Sequence, residues 1–416
     1  MTFKEAYIWI WLPQEEKPIV CGRLEEENGF FYFNYGKSYL QKSRESKKII
    51  SLYEPELPLR EGRLPLVEGL MIPSVIRDAS PDAWGRRVII HTILGHKGIE
   101  IDPTELNEIT YLLNSGSDRI GNLDFQISSQ EYIPRHSQNV TLEELLQSAE
   151  KVEKGLPLSK ELDLALFHGS SIGGARPKAL IEDKNKKYIA KFSSSSDLYS
   201  IVKAEFIAMR LAKLAGINVP NVKIVQSLNK DVLQIERFDR EWKGSYWTRK
   251  SIISALTLLG LDEMMDRYAS YEELCEIIRH KFSNPKDNLT ELFKRLVFNI
   301  LCGNTDDHAR NHAAFWDGVS LSLTPAYDIC PQSRAGNEAS QGMIISNENR
   351  KSQLASCLQA IEHFQLSKKK AKEIIQNIIN VIQKNWKPVC EIAKISKVEQ
   401  NLLWGRQFLN PYSLEE

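Results

Sequence analysis

The sequence predicts an α+β protein with a β-rich beginning and a mainly helical end. Three observations carry that expectation. Tyr7-Ile8-Trp9-Ile10-Trp11-Leu12 is too aromatic and β-branched to make a good helix start. A strand–turn–strand pattern lies near the middle: Leu180-Ile181, the charged turn EDKNKK, then Tyr188 to Phe192. Beyond Trp247 the apolar spacing is helical, with one β interruption near Phe315 to Leu323.

The composition narrows the class further. The 416 residues suffice for about two to three domains. Hydrophobic residues make up 42% of the chain, far from the regime of disorder. The 54 Lys and Arg balance 54 Asp and Glu, which argues against a protein built mainly to coat nucleic acid or an anionic membrane. No apolar run approaches the roughly 18 residues of a bilayer span. The first residues are acidic where a secretory signal is basic, and no small-residue cleavage site follows. Six scattered cysteines without a CxxC fit free thiols in a reducing compartment. A cytoplasmic location and no membrane partner are expected.

The elements follow in order. Ile19 to Cys21 and Phe30 to Phe33 flank Asn28-Gly29, a hairpin signal because both residues tolerate positive φ. Ser80-Pro81-Asp82 reads as a helix entrance, with Ser80 as the capping hydroxyl, and the helix runs through Trp84 and Val88 towards His91. Gln126 to Asn139 loses periodicity and reads as a linker. Thr141 and Glu144 have capping-box spacing. A helix over Tyr199 to Ala215 places Ala204, Ile207, Ala208, Leu211 and Leu214 on one face, and Gly216 ends it. Asp231 to Phe238 is another strand. Lys368 to Lys370, behind Ser367, opens a late helix with a solvated cationic start. The expected divisions are 1–125, 126–165, 166–240 and 241–416.

The chemistry concentrates in Gly303-Asn304-Thr305-Asp306-Asp307-His308-Ala309-Arg310-Asn311-His312. This stretch follows an apolar helix (Leu296, Val297, Ile300, Leu301), so it sits where a buried helix meets a loop. Asp317-Gly318 between two short apolar segments predicts a hairpin, which returns the chain to its starting end. Asp306, Asn311 and Asp328 should therefore converge. Hard oxygen ligands in that number suit Mg²⁺, whose remaining shell is water and phosphate. Asp-x₄-Asn followed by a later Asp is also the spacing of a protein-kinase catalytic loop. Upstream, Lys191 could project as a point charge onto ATP phosphates, with Glu205 as its ion-pair partner. Ser170-Ser171-Ile172-Gly173-Gly174-Ala175-Arg176-Pro177-Lys178 offers glycine amides and two cations for phosphate oxygens. It fits neither a P-loop nor a dinucleotide fingerprint.

Four ordered motifs carry a resemblance: Gly173-Gly174-Ala175-Arg176-Pro177-Lys178, Glu236-Arg237-Phe238-Asp239-Arg240, Asn304 to Asn311, and Pro325-Ala326-Tyr327-Asp328. Their order resembles that of HipA-type serine/threonine kinases, the toxins of bacterial type II toxin–antitoxin modules. Ser80 to Arg87 resembles part of that family's N-terminal subdomain. The resemblance implies a bilobal, protein-kinase-like (HipA-like) fold: an N-terminal subdomain over 1–125, a linker and connecting helix, a kinase N-lobe over 166–240 and a helical C-lobe over 241–416. It implies ATP and Mg²⁺ as cofactors, Asp306 as catalytic base, and Asn311 and Asp328 as metal ligands. Lys191 would bind the nucleotide phosphates, Lys178 with Gly173, Gly174 and Ala175 the phosphate-side loop, and Glu236 to Phe238 the adenine hinge. Ser171 falls at the family's autophosphorylation position, with Ser170 a neighbouring alternative. A phosphate there would repel those of ATP and switch the enzyme off. The implied partners are a protein substrate such as an aminoacyl-tRNA synthetase and a helix-turn-helix antitoxin, with DNA reached only through the antitoxin.

Plainer readings stand beside these. Lys191 could be a solvated edge charge, Glu205 a surface carboxylate and Gly173-Gly174 a simple turn. His308 and His312, spaced i and i+4, read as ordering contacts within the loop rather than metal ligands. The alternatives in function are a kinase acting on a lipid or small molecule, and a non-catalytic pseudokinase subunit of an antitoxin–DNA complex.

Overall fold

A computed structural model of the chain describes residues 3–94, 102–135, 141–153, 156, 176–193, 197, 199–334 and 336–415. The chain is α+β and divides into two compact units, each assembled from separated stretches. The first comprises Met1–Ser194, Gln226–Ile253 and Trp316–Val319, the second Ser195–Val225, Ser254–Phe315 and Ser320–Glu416.

In the first unit, strands β1 (Glu5–Ile10), β2 (Ile19–Glu27), β3 (Phe30–Tyr35) and β4 (Leu123–Gln126) form an antiparallel sheet in the order β3-β2-β1-β4. Asn28 (φ 54°) and Gly29 (φ 82°) make the tight turn between β2 and β3, as their pairing predicts. Helix α1 (Lys37–Glu45) follows, and Trp9, Trp11 and Trp84 are all core residues.

Helix α2 (Ala83–Leu94) starts after the expected entrance, and its cap is not Ser80. Asp82 Oδ1 accepts from the Gly85 N–H at 3.2 Å, whereas the Ser80 hydroxyl is buried without a partner. The carboxylate wins because it also meets the positive end of the helix. After α3 (Glu108–Leu113) and β4 comes the stretch expected to open a linker; its described part, 126–135, is half exposed and is held by single side chains. Tyr132 stands edge-on to Trp11 with ring centroids 5.4 Å apart, and Arg135 pairs with buried Asp124 at 2.7 Å. Helix α4 (Leu142–Glu153) then begins on the predicted capping box, Glu144 N–H donating to Thr141 Oγ1 at 3.2 Å.

Strands β5 (Lys178–Asp183) and β6 (Lys186–Phe192) pair antiparallel. The unit boundary falls within β7 (Val222–Ser227), and a turn at Leu228 and Asn229, both at positive φ, leads to β8 (Lys230–Glu236) beside β6. Two short strands, β9 (Arg240–Trp242) and β10 (Trp247–Arg249), pair next, and β11 (Ser251–Ser254) follows them.

The second unit is mainly helical. Helix α5 (Ile201–Leu214) buries Ala204, Ile207, Ala208 and Leu211, while Leu214 is 48% exposed. Leu214 departs from the expected face because it lies in the last turn, where Gly216 (φ 75°) redirects the chain. Helices α6 (Tyr271–Lys281), α7 (Pro285–Cys302) and α8 (Lys368–Ile392) complete the core. Helix α7 packs against α6 and α8, and α5 against α8. Leu292, Phe293, Leu296 and Val297 of α7 are wholly buried, each stabilising the unit by about 1.5–3 kcal/mol. Ser367 caps α8, accepting from the Lys370 N–H at 3.2 Å, and Lys368 to Lys370 are exposed. The hairpin of β12 (Ala313–Trp316) and β13 (Leu321–Leu323) turns at Asp317-Gly318 as predicted. All six cysteines are free thiols. Among the described residues no helix is long and apolar enough to cross a membrane.

Candidate active site

Helix α7 ends at Gly303, which adopts φ 74°, and Asn304 N–H donates back to Asn299 O at 2.8 Å. A side chain at 303 would place its Cβ 2.8 Å from Gln407 O, so glycine is required both for the backbone and for the space. The loop that leaves this point carries two adjacent acids with opposite fates.

Asp307 points inward and is fully buried. Tyr271 Oη donates to it, His312 Nε2 lies 2.8 Å from its Oδ1, and Gln341 Nε2 lies 3.4 Å from its Oδ2. The Met343 N–H also donates to its carbonyl at 3.0 Å. Burial alone would raise its carboxyl, yet His312 and these hydrogen bonds hold it below the usual carboxylate range. Asp307 is thus an ionised anchor. His312 serves the same anchor, in line with its expected ordering role.

Asp306 points outward and is exposed. Its carboxyl is pushed above the usual range by desolvation first, eased by His308, and then by the negative fields of Asp328, Asp307 and Asp266. Asp328 is therefore within electrostatic reach of Asp306, as the returning hairpin predicts. Asn311 Nδ2 donates to the Asp306 carbonyl at 2.8 Å, leaving its side-chain oxygen as the ligand-type atom. Tyr327 Oη donates to Arg310 O at 2.6 Å, tying the segment before Asp328 to the loop. Asp328 itself holds φ 56°, an unusual conformation for a residue with a side chain. From the other side Asp266 accepts from the Ala309 N–H at 3.2 Å, and Glu263 pairs with Arg310.

The donor chemistry fits a hard divalent cation. Two carboxylates and an amide oxygen would leave about half of an octahedral shell to water and phosphate. Among the described residues no group of three or more His, Cys, Asp or Glu could hold a metal unaided. Besides desolvation, the fields of Asp328, Asp307 and Asp266 raise the Asp306 carboxyl, and a bound cation would oppose those fields.

The remaining expected residues lie elsewhere. Lys178 is within β5 rather than in a loop, 3% exposed, with Nζ 3.8 Å from Asp82 Oδ2. It stands directly opposite Lys191 of β6, so two ammonium groups share one face of the sheet. Asp82 beside Lys178 offsets part of their mutual repulsion. The Glu236 side chain pairs with Lys186 at 2.9 Å, so what it offers a ligand is its backbone. Phe238 follows the end of β8, half-buried. Glu205 lies on α5 in the second unit and is buried, which excludes the plainer reading of a surface carboxylate. Ser170, Ser171, Gly173, Gly174 and Ala175 lie outside the described residues. Sequence reasoning missed Asp266, Tyr271 and Gln341, which support the loop from distant segments. Only the doubled acid at 306–307 signalled that one member needed a buried partner.

Residues 170–386 match the model of the HipA-like C-terminal domain. The chain belongs to that family. A curated relative from Shewanella oneidensis, named serine/threonine-protein kinase toxin HipA, is 29% identical over 188 residues, 38% of this chain and 42% of that protein. A putative kinase of Haemophilus influenzae is 28% identical over 182 residues, 39% of this chain and 52% of that protein. The HipA-like chain therefore aligns with about two fifths to one half of the length of these curated relatives. A solved structure of the Shewanella oneidensis HipA, HipB and operator DNA complex matches with a TM-score of 0.67 at 19% identity, covering 99% of this chain and 100% of that one. At that identity the likeness shows the fold: a HipA-like α+β architecture.

Proposed function

We propose that this HipA-like chain is a cytoplasmic, ATP- and Mg²⁺-dependent protein serine/threonine kinase of the toxin type. The observation that carries the reading is the Asp306 carboxyl, raised by desolvation and then by the field of Asp328, on a loop where Asn311 Nδ2 donates to the Asp306 carbonyl at 2.8 Å. In this reading Asp306 accepts the proton of a serine or threonine hydroxyl as its oxygen bonds to the γ-phosphorus and the bond to ADP breaks. Asn311 and Asp328 hold the metal. When bound, Mg²⁺ supplies neutralisation of the charge on the transferring phosphoryl group. Lys178 and Lys191 take phosphate oxygens, Glu205 is the ion-pair partner of Lys191, and the backbone of Glu236 to Phe238 meets the adenine.

The division into an N-terminal subdomain (1–125), a connecting stretch (126–165), a nucleotide lobe (166–240) and a catalytic lobe (241–416) belongs to the same reading. Ser171 is the proposed autophosphorylation site, with Ser170 as the alternative, and Gly173, Gly174 and Ala175 line the phosphate-side loop. The partners proposed are a protein substrate of the translation machinery, such as an aminoacyl-tRNA synthetase, and a helix-turn-helix antitoxin. The solved relative's presence in a complex with HipB and operator DNA supports an antitoxin that brings DNA.

The test is transfer of label from γ-labelled ATP to the protein itself and to bacterial extract proteins. Asp306→Ala, Asn311→Ala and Asp328→Ala should each lower incorporation by about 100-fold or more. Full incorporation by all three variants would overturn the roles. Label found only in lipids or small molecules would overturn the substrate class.

A further inference from the structure

Arg237 and Arg240, just beyond β8, are buried at 5% and 6% exposure, and both reach back 119 and 122 residues in sequence to one short loop. Arg237 Nη1 donates to Asp118 O at 3.1 Å and Nη2 to Arg119 O at 2.7 Å. Its Nε and Nη2 also grip Asp239 at 2.9 and 2.8 Å. Arg240 Nε donates to Asp118 Oδ1 at 3.0 Å and Nη1 to Gly121 O at 2.8 Å. The Gly121 N–H returns a bond to Asp239 Oδ2 at 2.9 Å. Lys187 of β6 closes the circuit, donating Nζ to Asp118 Oδ2 at 2.9 Å. Asp118 is held well below the usual carboxylate range, because Arg237, Arg240 and Lys187 outweigh the cost of its burial.

Burying this many charges is an inefficient way to gain stability, because desolvation offsets much of the attraction. What planar guanidinium groups supply is fixed geometry. The geometry here falls on residues already placed at the nucleotide. The Arg237 N–H donates to Lys187 O at 2.8 Å, so the backbone of residue 237 faces β6. Glu236 and Phe238 are the immediate chain neighbours of this fixed residue, at and just beyond the end of β8.

We propose that Asp118, with the loop through Gly121, is a positioning residue for nucleotide recognition: by clamping Arg237 and Arg240 it sets the direction of the Glu236 and Phe238 backbone groups that read the adenine edge. The inference rests on the kinase reading above. It extends that reading by giving the N-terminal part of the chain a share in base selection.

The test is titration calorimetry of the full chain and of Asp118→Asn with ATP, GTP and inorganic tripolyphosphate. Asp118→Asn should weaken ATP binding roughly 10- to 100-fold. It should narrow the ATP-to-GTP preference, and leave the tripolyphosphate affinity, a property of the lysine-bearing strands, within about twofold. Asp124→Asn removes a more deeply buried carboxylate that pairs instead with Arg119 and Arg135, and should keep the ATP-to-GTP ratio of the wild type. If Asp118→Asn does not fold, Arg240→Lys, which keeps the charge and loses the fork, should show the same split. A wild type that binds no ATP would overturn the kinase reading and this inference together. A wild type that binds ATP, with a variant that loses ATP and tripolyphosphate in equal proportion or keeps its base preference, would overturn the positioning role alone.

Discussion

Replacing Asp307 with alanine should damage the fold severely, while replacing its neighbour Asp306 should not. In Asp307→Ala the hydroxyl of Tyr271 and Nε2 of His312 lose a buried charged acceptor, and Gln341 loses a weaker contact. A buried donor left without a partner costs about 1–3 kcal/mol. Breaking one side of a buried charged network costs about 3–5 kcal/mol, a large part of the roughly 5–15 kcal/mol that holds a domain together. The expected loss is therefore about 3–5 kcal/mol. Asp306 is exposed and stands among like charges, so Asp306→Ala should leave stability within about 0.5 kcal/mol of the wild type, or raise it slightly. Equilibrium denaturation in urea, read as the shift in midpoint at constant slope, measures both. Asp306 is penalised only when ionised, so any gain in Asp306→Ala should fade as the pH falls through its raised folded range and be gone below about 4, where the unfolded carboxyl also binds its proton. Equal losses in the two variants, or a loss below about 1 kcal/mol in Asp307→Ala, would refute the division of labour between these acids.

Two further outcomes follow from the same structure. Asp239 is held down to about 2 by Arg237 and Arg240 despite full burial. Its folded value lies below the unfolded value of about 3.9, so its stabilising share is complete above that pH and is lost as the pH falls towards 2. The melting-temperature gap between wild type and Asp239→Asn should accordingly be widest at neutral pH and close near pH 2; a gap of constant size would count against the ionic account. Gly303→Ala combines a left-handed backbone with a Cβ 2.8 Å from Gln407 O, and should cost about 1–3 kcal/mol while displacing the loop that carries Asp306. A variant as stable as the wild type in urea would show that the loop end adapts freely.

Much of the local structure could be read from residue order because local chemistry determines it. Asn28-Gly29 and Asp317-Gly318 mark hairpins since few other pairs accept their backbone angles, and Ala204 to Leu211 mark a helix by spacing alone. That Asp328 lies within electrostatic reach of Asp306 is also legible, because only a short hairpin separates the two segments. What stayed hidden depends on contacts distant in sequence. The Asp118–Arg240 pair spans 122 residues, and no periodicity announces it. Asp82 displaced Ser80 as the cap because its carboxylate, two residues nearer the helix, met the Gly85 N–H. The stretch 126–135 lacks periodicity because its anchors are single side chains, Tyr132 and Arg135, rather than a repeating face. The glycines before Lys178 suggest a loop, whereas pairing with β6 extends the strand to include it.

The interleaving of the two units has a consequence for biosynthesis. A ribosome exposes Asp118 long before its partners Arg237 and Arg240, and the whole of α5 emerges in between. Asp118 must therefore wait for its guanidinium partners until roughly residue 250 has left the exit tunnel, on the order of ten seconds later at ordinary elongation rates. No single cut in the polypeptide yields an autonomous half, so limited proteolysis at one bond should leave fragments that remain associated rather than separable pieces.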